Sequence, residues 1–188
     1  MPGKSPRDAE WAFVERLQRA FGCVTHERLN FSGGNYKSAA PLVLLLGDGS
    51  PVELRGPAQI SLTFQMHYRI VESEGVRGPW KTTTSGYLYG LDDADGHEIL
   101  EYHWHPSGHS EETNPHLHLG AGALVARPEL PGAHLPTGRV AVEDVLHLAI
   151  TVFGVDPTRA DWQDILGESK AAFEAYRTWP APRDLSNS

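Results

Sequence analysis

Hydrophobic residues recur at helical spacing near both ends of the chain, and they alternate with polar residues in between. The first helical pattern covers residues 8–21 and stops before Gly22, a residue typical of helix ends. Its apolar positions are Trp11, Val14, Leu17 and Phe21. The same spacing returns in residues 138–154 and again in residues 158–179. The pattern therefore predicts one N-terminal helix and two C-terminal helices.

The segment between these helices carries strand patterns separated by turns rich in Gly, Pro and Asp. Residues 59–73 alternate strictly between apolar and polar side chains, which is typical of an antiparallel strand with one solvated face. Strand patterns continue on either side of "DDADG" at 92–96, which predicts a hairpin turn. We therefore predict an α+β fold: an antiparallel meander sheet of about four to six strands with the helices on one face. We assign residues 1–180 to one domain and residues 181–188 to a disordered tail.

Composition limits the classes of function. The formal net charge is −8, from 24 acidic and 16 basic residues, which argues against broad binding to duplex nucleic acid. The longest apolar run, at 41–47, falls short of the ~20 residues that cross a bilayer, and the N-terminus has no secretion signal. We therefore expect a cytoplasmic protein without a membrane partner. Since Cys23 is the only cysteine, a metal would have to be bound by imidazole and carboxylate groups.

Histidines are concentrated in one part of the chain. Five of the ten lie between residues 103 and 118, four of them in the triplets "HWH" and "HLH". Strand alternation places His103 and His105 on one face, and it does the same for His116 and His118. If the two strands are neighbours in the matching register, all four imidazoles lie side by side. Trp104, Leu117 and Leu119 would then face the core.

One interpretation of this cluster is a transition-metal site. Two His-x-His strands can offer neutral nitrogens to zinc, iron, nickel or copper, with His103, His105, His116 and His118 as the ligands. Oxygen ligands are available from Glu101, Glu111 and Glu112. The spacing fits a metal without being diagnostic of one. A solvated sheet face that merely tolerates histidine is the simplest alternative.

The other chemical interpretation is metal-free acid–base catalysis. Imidazoles titrate near neutral pH, so one can remove a proton while another donates one, as cleavage of RNA by its own 2′-hydroxyl requires. We assign the base to His103 or His105 and the acid to His116 or His118. Arg69 would stabilise the phosphorane charge. Further candidates for the cation are Lys81, Arg127 and Arg139, and those for base stacking are Tyr87, Tyr89 and Tyr102.

Three segments resemble the TumE-like small bacterial toxins of toxin–antitoxin systems. They are "EILEYH" at 98–103, "NPHLH" at 114–118 and "VEDVLHLAI" at 142–150. The resemblance spans residues 60–155 and departs from the family pattern at Leu117, where a basic residue is expected. It implies a toxin that acts on an RNA substrate and is neutralised by a cognate antitoxin protein. The site residues it implies are His103, His116 and His118.

The leading hypothesis from the sequence is thus a toxin-like ribonuclease with a histidine-rich sheet face. The first alternative is a metal-dependent enzyme or metal-binding protein that uses the same four imidazoles. The second is a non-enzymatic interaction module that docks a partner through the polar loop "SGHSEETNP". His134 is a candidate fifth imidazole.

Overall fold

The structure, a computed structural model, describes residues 2–32, 40–74, 78–106, 112–120 and 135–176. The described residues form three helices: α1 (Pro6–Phe21), α2 (Val142–Thr151) and α3 (Trp162–Tyr176). The first five strands are β1 (Pro2–Gly3), β2 (Leu29–Ser32), β3 (Leu42–Leu46), β4 (Val52–Glu53) and β5 (Ser61–Glu72). The remaining four are β6 (Trp80–Asp92), β7 (Glu98–Trp104), β8 (His116–Leu119) and β9 (Leu135–Pro136).

All described strands belong to one antiparallel sheet, whose main path runs β2-β3-β5-β6-β7-β8-β9. The two remaining strands are short: β1 pairs with the start of β6, and β4 pairs with the start of β5. The predicted α+β class and the meander of the central strands are confirmed. The sheet has more strands than predicted, because strands of two to four residues such as β1, β2 and β9 are too short to show a period.

The described helices cover one face of the sheet, and we call the other face, which none of them covers, the open face. Even-numbered residues of β5 from Leu62 to Ile70 are buried, and odd-numbered residues are only partly covered or exposed. On the covered face, the Phe21 ring of α1 meets the Phe64 ring of β5 edge-on, with centroids 4.6 Å apart. Tyr89 of β6 stacks on Phe64 at 5.6 Å. In β5, the alternation of apolar and polar residues therefore corresponds to the side of the strand that faces the core and the side that does not.

The three helices begin and end close to the predicted positions, with local differences. Ser5 caps α1 reciprocally with Asp8, which fixes the start of that helix before a proline. Trp11, predicted on its buried stripe, is 69% exposed, and Phe13 takes the core position instead. Spacings of three and four residues show which residues share a helix face, but they do not fix how the helix is rotated about its axis. The prediction that Trp11 lies on the buried stripe was therefore wrong.

The described helices contain no segment long and apolar enough to cross a bilayer. Cys23 is fully buried, and burial raises the pKa of its thiol, so it behaves as a small core residue. The predicted tail, 181–188, lies outside the described residues.

Candidate functional site

The pairing of β7 with β8 brings the two histidine triplets together. His103 lies directly opposite His116, and Glu101 lies opposite His118. On the other side of β7, His103 lies opposite Leu88 of β6, which belongs to the open face of the sheet. The predicted neighbouring strands and register are therefore present. All four histidines lie on the open face, while Trp104 and Leu117 pack against the core.

The four rings form one continuous cluster, which we call the histidine cluster: His103, His105, His116 and His118. The His103 ring centroid lies 4.8 Å from that of His118 and 5.6 Å from that of His116. Along β8, the rings of His116 and His118 are 5.0 Å apart. His105 lies at the end of the cluster, 5.3 Å from His116 and 5.6 Å from His103. These distances are those of neighbouring side chains on a sheet face.

Three members of the cluster have ring nitrogens close to one another. One nitrogen each from His103, His116 and His118 lie within 4.8 Å of one another. Nitrogens that each bind one ion at about 2.0–2.1 Å are separated by roughly 3–4 Å, so small side-chain movements suffice to close the site. His116 is fully buried, and the other two are partly covered. A buried imidazole on a sheet is held in place by its surroundings, which favours a preorganised site.

Hydrogen bonds fix the orientation of two of these rings. His116 donates from Nδ1 to the main-chain oxygen of Asn114 at 2.8 Å, which leaves the Nε2 lone pair to act as acceptor or ligand. His103 contacts the Glu101 carboxylate through Nε2. Carboxylate and main-chain oxygens are the usual partners of histidines that bind metals. Sequence reasoning named Glu101 only as a direct oxygen ligand and missed Asn114, since a main-chain oxygen leaves no signal in the sequence.

The predicted cation, Arg69, lies elsewhere on the open face. Arg69 is exposed on β5, where it lies opposite Thr83. The β5 residue in line with His103 is Gln65, because Gln65 pairs with Leu88 of β6 and Leu88 pairs with His103. Arg69 is four residues further along β5. Four residues of a strand extend over roughly 13 Å. The strand period placed Arg69 on the right face but could not give its position along the sheet.

The other proposed charge and stacking residues lie mostly away from the cluster. The Arg139 guanidinium lies 4.7 Å over the Trp104 ring, on the covered face. Tyr87 and Tyr89 are buried and stack on each other at 4.5 Å, so neither can stack a base. Burial raises the pKa of Tyr87 to about 12, and its hydroxyl accepts a hydrogen bond from the Val140 amide. Tyr102 is half-buried on the same face as these two rings.

The open face beside the cluster is formed by β5 and β6. His67 and Gln65 are hydrogen-bonded at 2.6 Å, and burial lowers the pKa of His67. Between these residues and β7 lie Leu88, Gly86 and Gly90 of β6. The two glycines have no side chains on this face. Both glycines are buried, and Leu88 is partly exposed beside His103.

A second group of candidate ligands, missed by sequence reasoning, lies in the β6–β7 hairpin: Asp93, Asp95 and His97. Asp93 already accepts hydrogen bonds from the main-chain amides of Asp95 and His97, which explains its orientation as part of the turn. Several predicted participants fall outside the described residues, namely His109, Glu111, Arg127, His134 and most of the loop "SGHSEETNP".

Gly120, directly after β8, holds that strand close to β7. Its amide donates to Ile99 oxygen at 3.0 Å, and a Cβ added to it would lie 1.5 Å from Glu98 oxygen. Gly120→Ala should therefore push the end of β8 away from β7 and destabilise the fold by about 1–3 kcal/mol. Urea unfolding measures this loss. Gly138→Ala is the control, since a Cβ there meets nothing within 4 Å, and equal effects from both changes would contradict the packing argument.

No protein family, curated protein or solved structure matches this chain. The resemblance to TumE-like toxins therefore stays a prediction.

Proposed function

We propose that the protein is a transition-metal-dependent enzyme whose ion is bound by His103, His116 and His118. The convergence of three ring nitrogens from two adjacent strands is the observation that carries this proposal. Three imidazoles from a sheet form the ligand set typical of zinc and of other borderline metals. The buried position of His116 and the fixed orientation of its ring fit a site that exists before the ion arrives.

Within the part of the chain that the structure describes, the site has three protein ligands, which favours a catalytic site over a structural one. Structural zinc sites are closed by four protein ligands, whereas catalytic sites leave one position for water or substrate. When bound, such an ion supplies Lewis-acid polarisation or an activated water. His105 lies next to His116 outside the converging group, so it can contact a substrate held beside the ion. Leu88, partly exposed opposite His103, offers an apolar contact to that substrate.

Elemental analysis tests this proposal. Protein purified without an affinity tag, loaded with zinc and then desalted should retain about one ion per chain. His116→Ala combined with His118→Ala should retain none. Retention of the ion by this variant, or no retention by the wild type, would overturn the proposal.

Metal-free ribonuclease activity is a second candidate, and it is supported by the contact between His105 and His116. Their rings lie 5.3 Å apart, close enough for a base and an acid to act on one phosphodiester. The distant position of Arg69 leaves the charge-stabilising role in this scheme without a nearby arginine among the described residues. Cleavage of RNA that persists after prolonged chelation would favour this candidate. Cleavage that stops and returns with zinc would favour the metal enzyme.

A further inference from the structure

We propose that Glu101 is a positioning residue that fixes the tautomer of His103, so that His103 offers Nδ1 to the metal while His116 offers Nε2. This inference rests on the proposed metal centre and assigns a distinct role to one of its neighbours. The observation behind it is that the two histidines, which face each other across the β7–β8 pairing, are hydrogen-bonded through opposite ring nitrogens.

The contact between Glu101 and His103 is local and partly shielded from solvent. The carboxylate meets Nε2 of His103, and the two side chains are 20% and 19% exposed, respectively. A carboxylate only accepts hydrogen bonds, so a neutral His103 ring must carry its proton on Nε2. The lone pair is then on Nδ1. Shielding from water strengthens such a hydrogen bond.

Gly90 makes room for this arrangement. It lies opposite Glu101 on β6, and a Cβ added to it would lie 3.4 Å from Oε2 of Glu101. The carboxylate therefore extends across the strand pair above a residue without a side chain. A larger residue at position 90 would compete for the same space. Because Gly90 has no side chain, the Glu101 side chain can turn towards His103, which lies two residues later on the same strand.

His116 has the opposite arrangement. Its Nδ1 donates to the main-chain oxygen of Asn114, so its proton is on Nδ1 and its lone pair is on Nε2. Each ring thus has one nitrogen that donates to an oxygen of the protein, and the lone pair on its other nitrogen is the one that would bind an ion. Partners of this kind orient the ligands and raise their basicity, and their loss usually weakens metal binding by about 10–100-fold.

Nuclear magnetic resonance of the metal-free protein tests the tautomers directly. Long-range proton–nitrogen correlations at about pH 8, where an ordinary imidazole is neutral, should report Nε2–H for His103 and Nδ1–H for His116. Glu101→Leu should abolish the preference at His103 and leave that at His116 unchanged. Glu101→Gln should restore it only in part, because the amide oxygen accepts from Nε2–H but the amide NH2 group can also donate to an unprotonated Nε2.

Zinc affinity provides the second measurement. Glu101→Leu should raise the dissociation constant for zinc about 10–100-fold, with partial recovery in Glu101→Gln. Glu53→Leu, which replaces an exposed carboxylate on β4, is the control and should change neither the tautomer nor the affinity.

The outcomes separate this inference from the proposed function. A His103 ring that carries its proton on Nδ1, or on both nitrogens, in the wild type overturns the role of Glu101 even if zinc binds. The same holds if Glu101→Leu leaves the tautomer unchanged. The predicted tautomers without any zinc binding would support the positioning role and overturn the metal centre instead. The wild-type spectrum alone decides the tautomers if a variant does not fold.

Discussion

Zinc at about one hundred times its dissociation constant should stabilise the wild-type protein by about 2.7 kcal/mol, because an ion that binds only the folded state shifts the folding equilibrium. For a chain of this length that gain corresponds to a rise of roughly 5–10 °C in melting temperature. The gain should vanish when His116 and His118 are both replaced by alanine. Thermal unfolding monitored by circular dichroism, with and without zinc, measures the difference.

For each variant, the melting temperature with zinc is compared with the melting temperature of the same variant without zinc. The difference reports metal binding and is separate from the stability of the metal-free protein. Replacement of the fully buried His116 leaves a cavity and lowers the melting temperature of the metal-free protein as well. The zinc-induced shift does not depend on that loss. His118→Ala alone, at a partly covered position, provides a milder test. His26→Ala changes an exposed histidine and should retain the full shift. A full shift in the double variant would show that zinc binds elsewhere.

Glu143→Ala should destabilise the protein by about 3–5 kcal/mol, because it leaves the Arg16 charge buried without its carboxylate partner. Glu143 is 2% exposed and contacts Arg16 at 2.5 Å. The Ser169 hydroxyl of α3 donates to the same carboxylate oxygen. The Arg16 guanidinium also donates to the main-chain oxygen of Ser169 at 2.9 Å. This network joins all three helices over the sheet. Urea unfolding at neutral pH measures the loss.

The helix layer also offers a matched control. Arg19 and Glu168 form an ion pair between α1 and α3 at 3.4 Å, and both side chains are more than half exposed. Glu168→Ala should cost no more than about 1 kcal/mol. Replacement of Arg16 by Met together with Glu143 by Leu should recover much of the lost stability, because no charge is then left buried. A small effect of Glu143→Ala would mean that water reaches Arg16.

The strand patterns made the architecture of the sheet predictable from the sequence. Alternation in residues 59–73 identified β5 and its buried face, and "DDADG" identified the hairpin between β6 and β7. Period and turn residues are local signals, and they were sufficient for both. The prediction that Trp11 is buried failed because burial in α1 depends on how this helix is rotated about its axis against the sheet. That rotation is set by contacts such as the one between Phe13 and Tyr68.

The sequence predicted which face of the sheet carries the histidines, but it did not predict the distances between the candidate site residues. The co-facial arrangement of His103 and His116 followed from alternation once the strands were taken as neighbours. The distance of Arg69 from the cluster depends on the offset between β5 and β7, which includes an irregular step after His67. No local pattern encodes such an offset. The roles of Tyr87 and Tyr89 failed for a related reason, since an aromatic residue in a strand fits the core as well as an open face.

X-ray absorption at the zinc edge of the loaded protein tests the metal centre most directly. The spectrum should contain the scattering of three imidazoles at about 2.0–2.1 Å, and the His116→Ala, His118→Ala double variant should lose it. A first shell of oxygen alone, or the same imidazole signal in the double variant, would contradict a site formed by His103, His116 and His118.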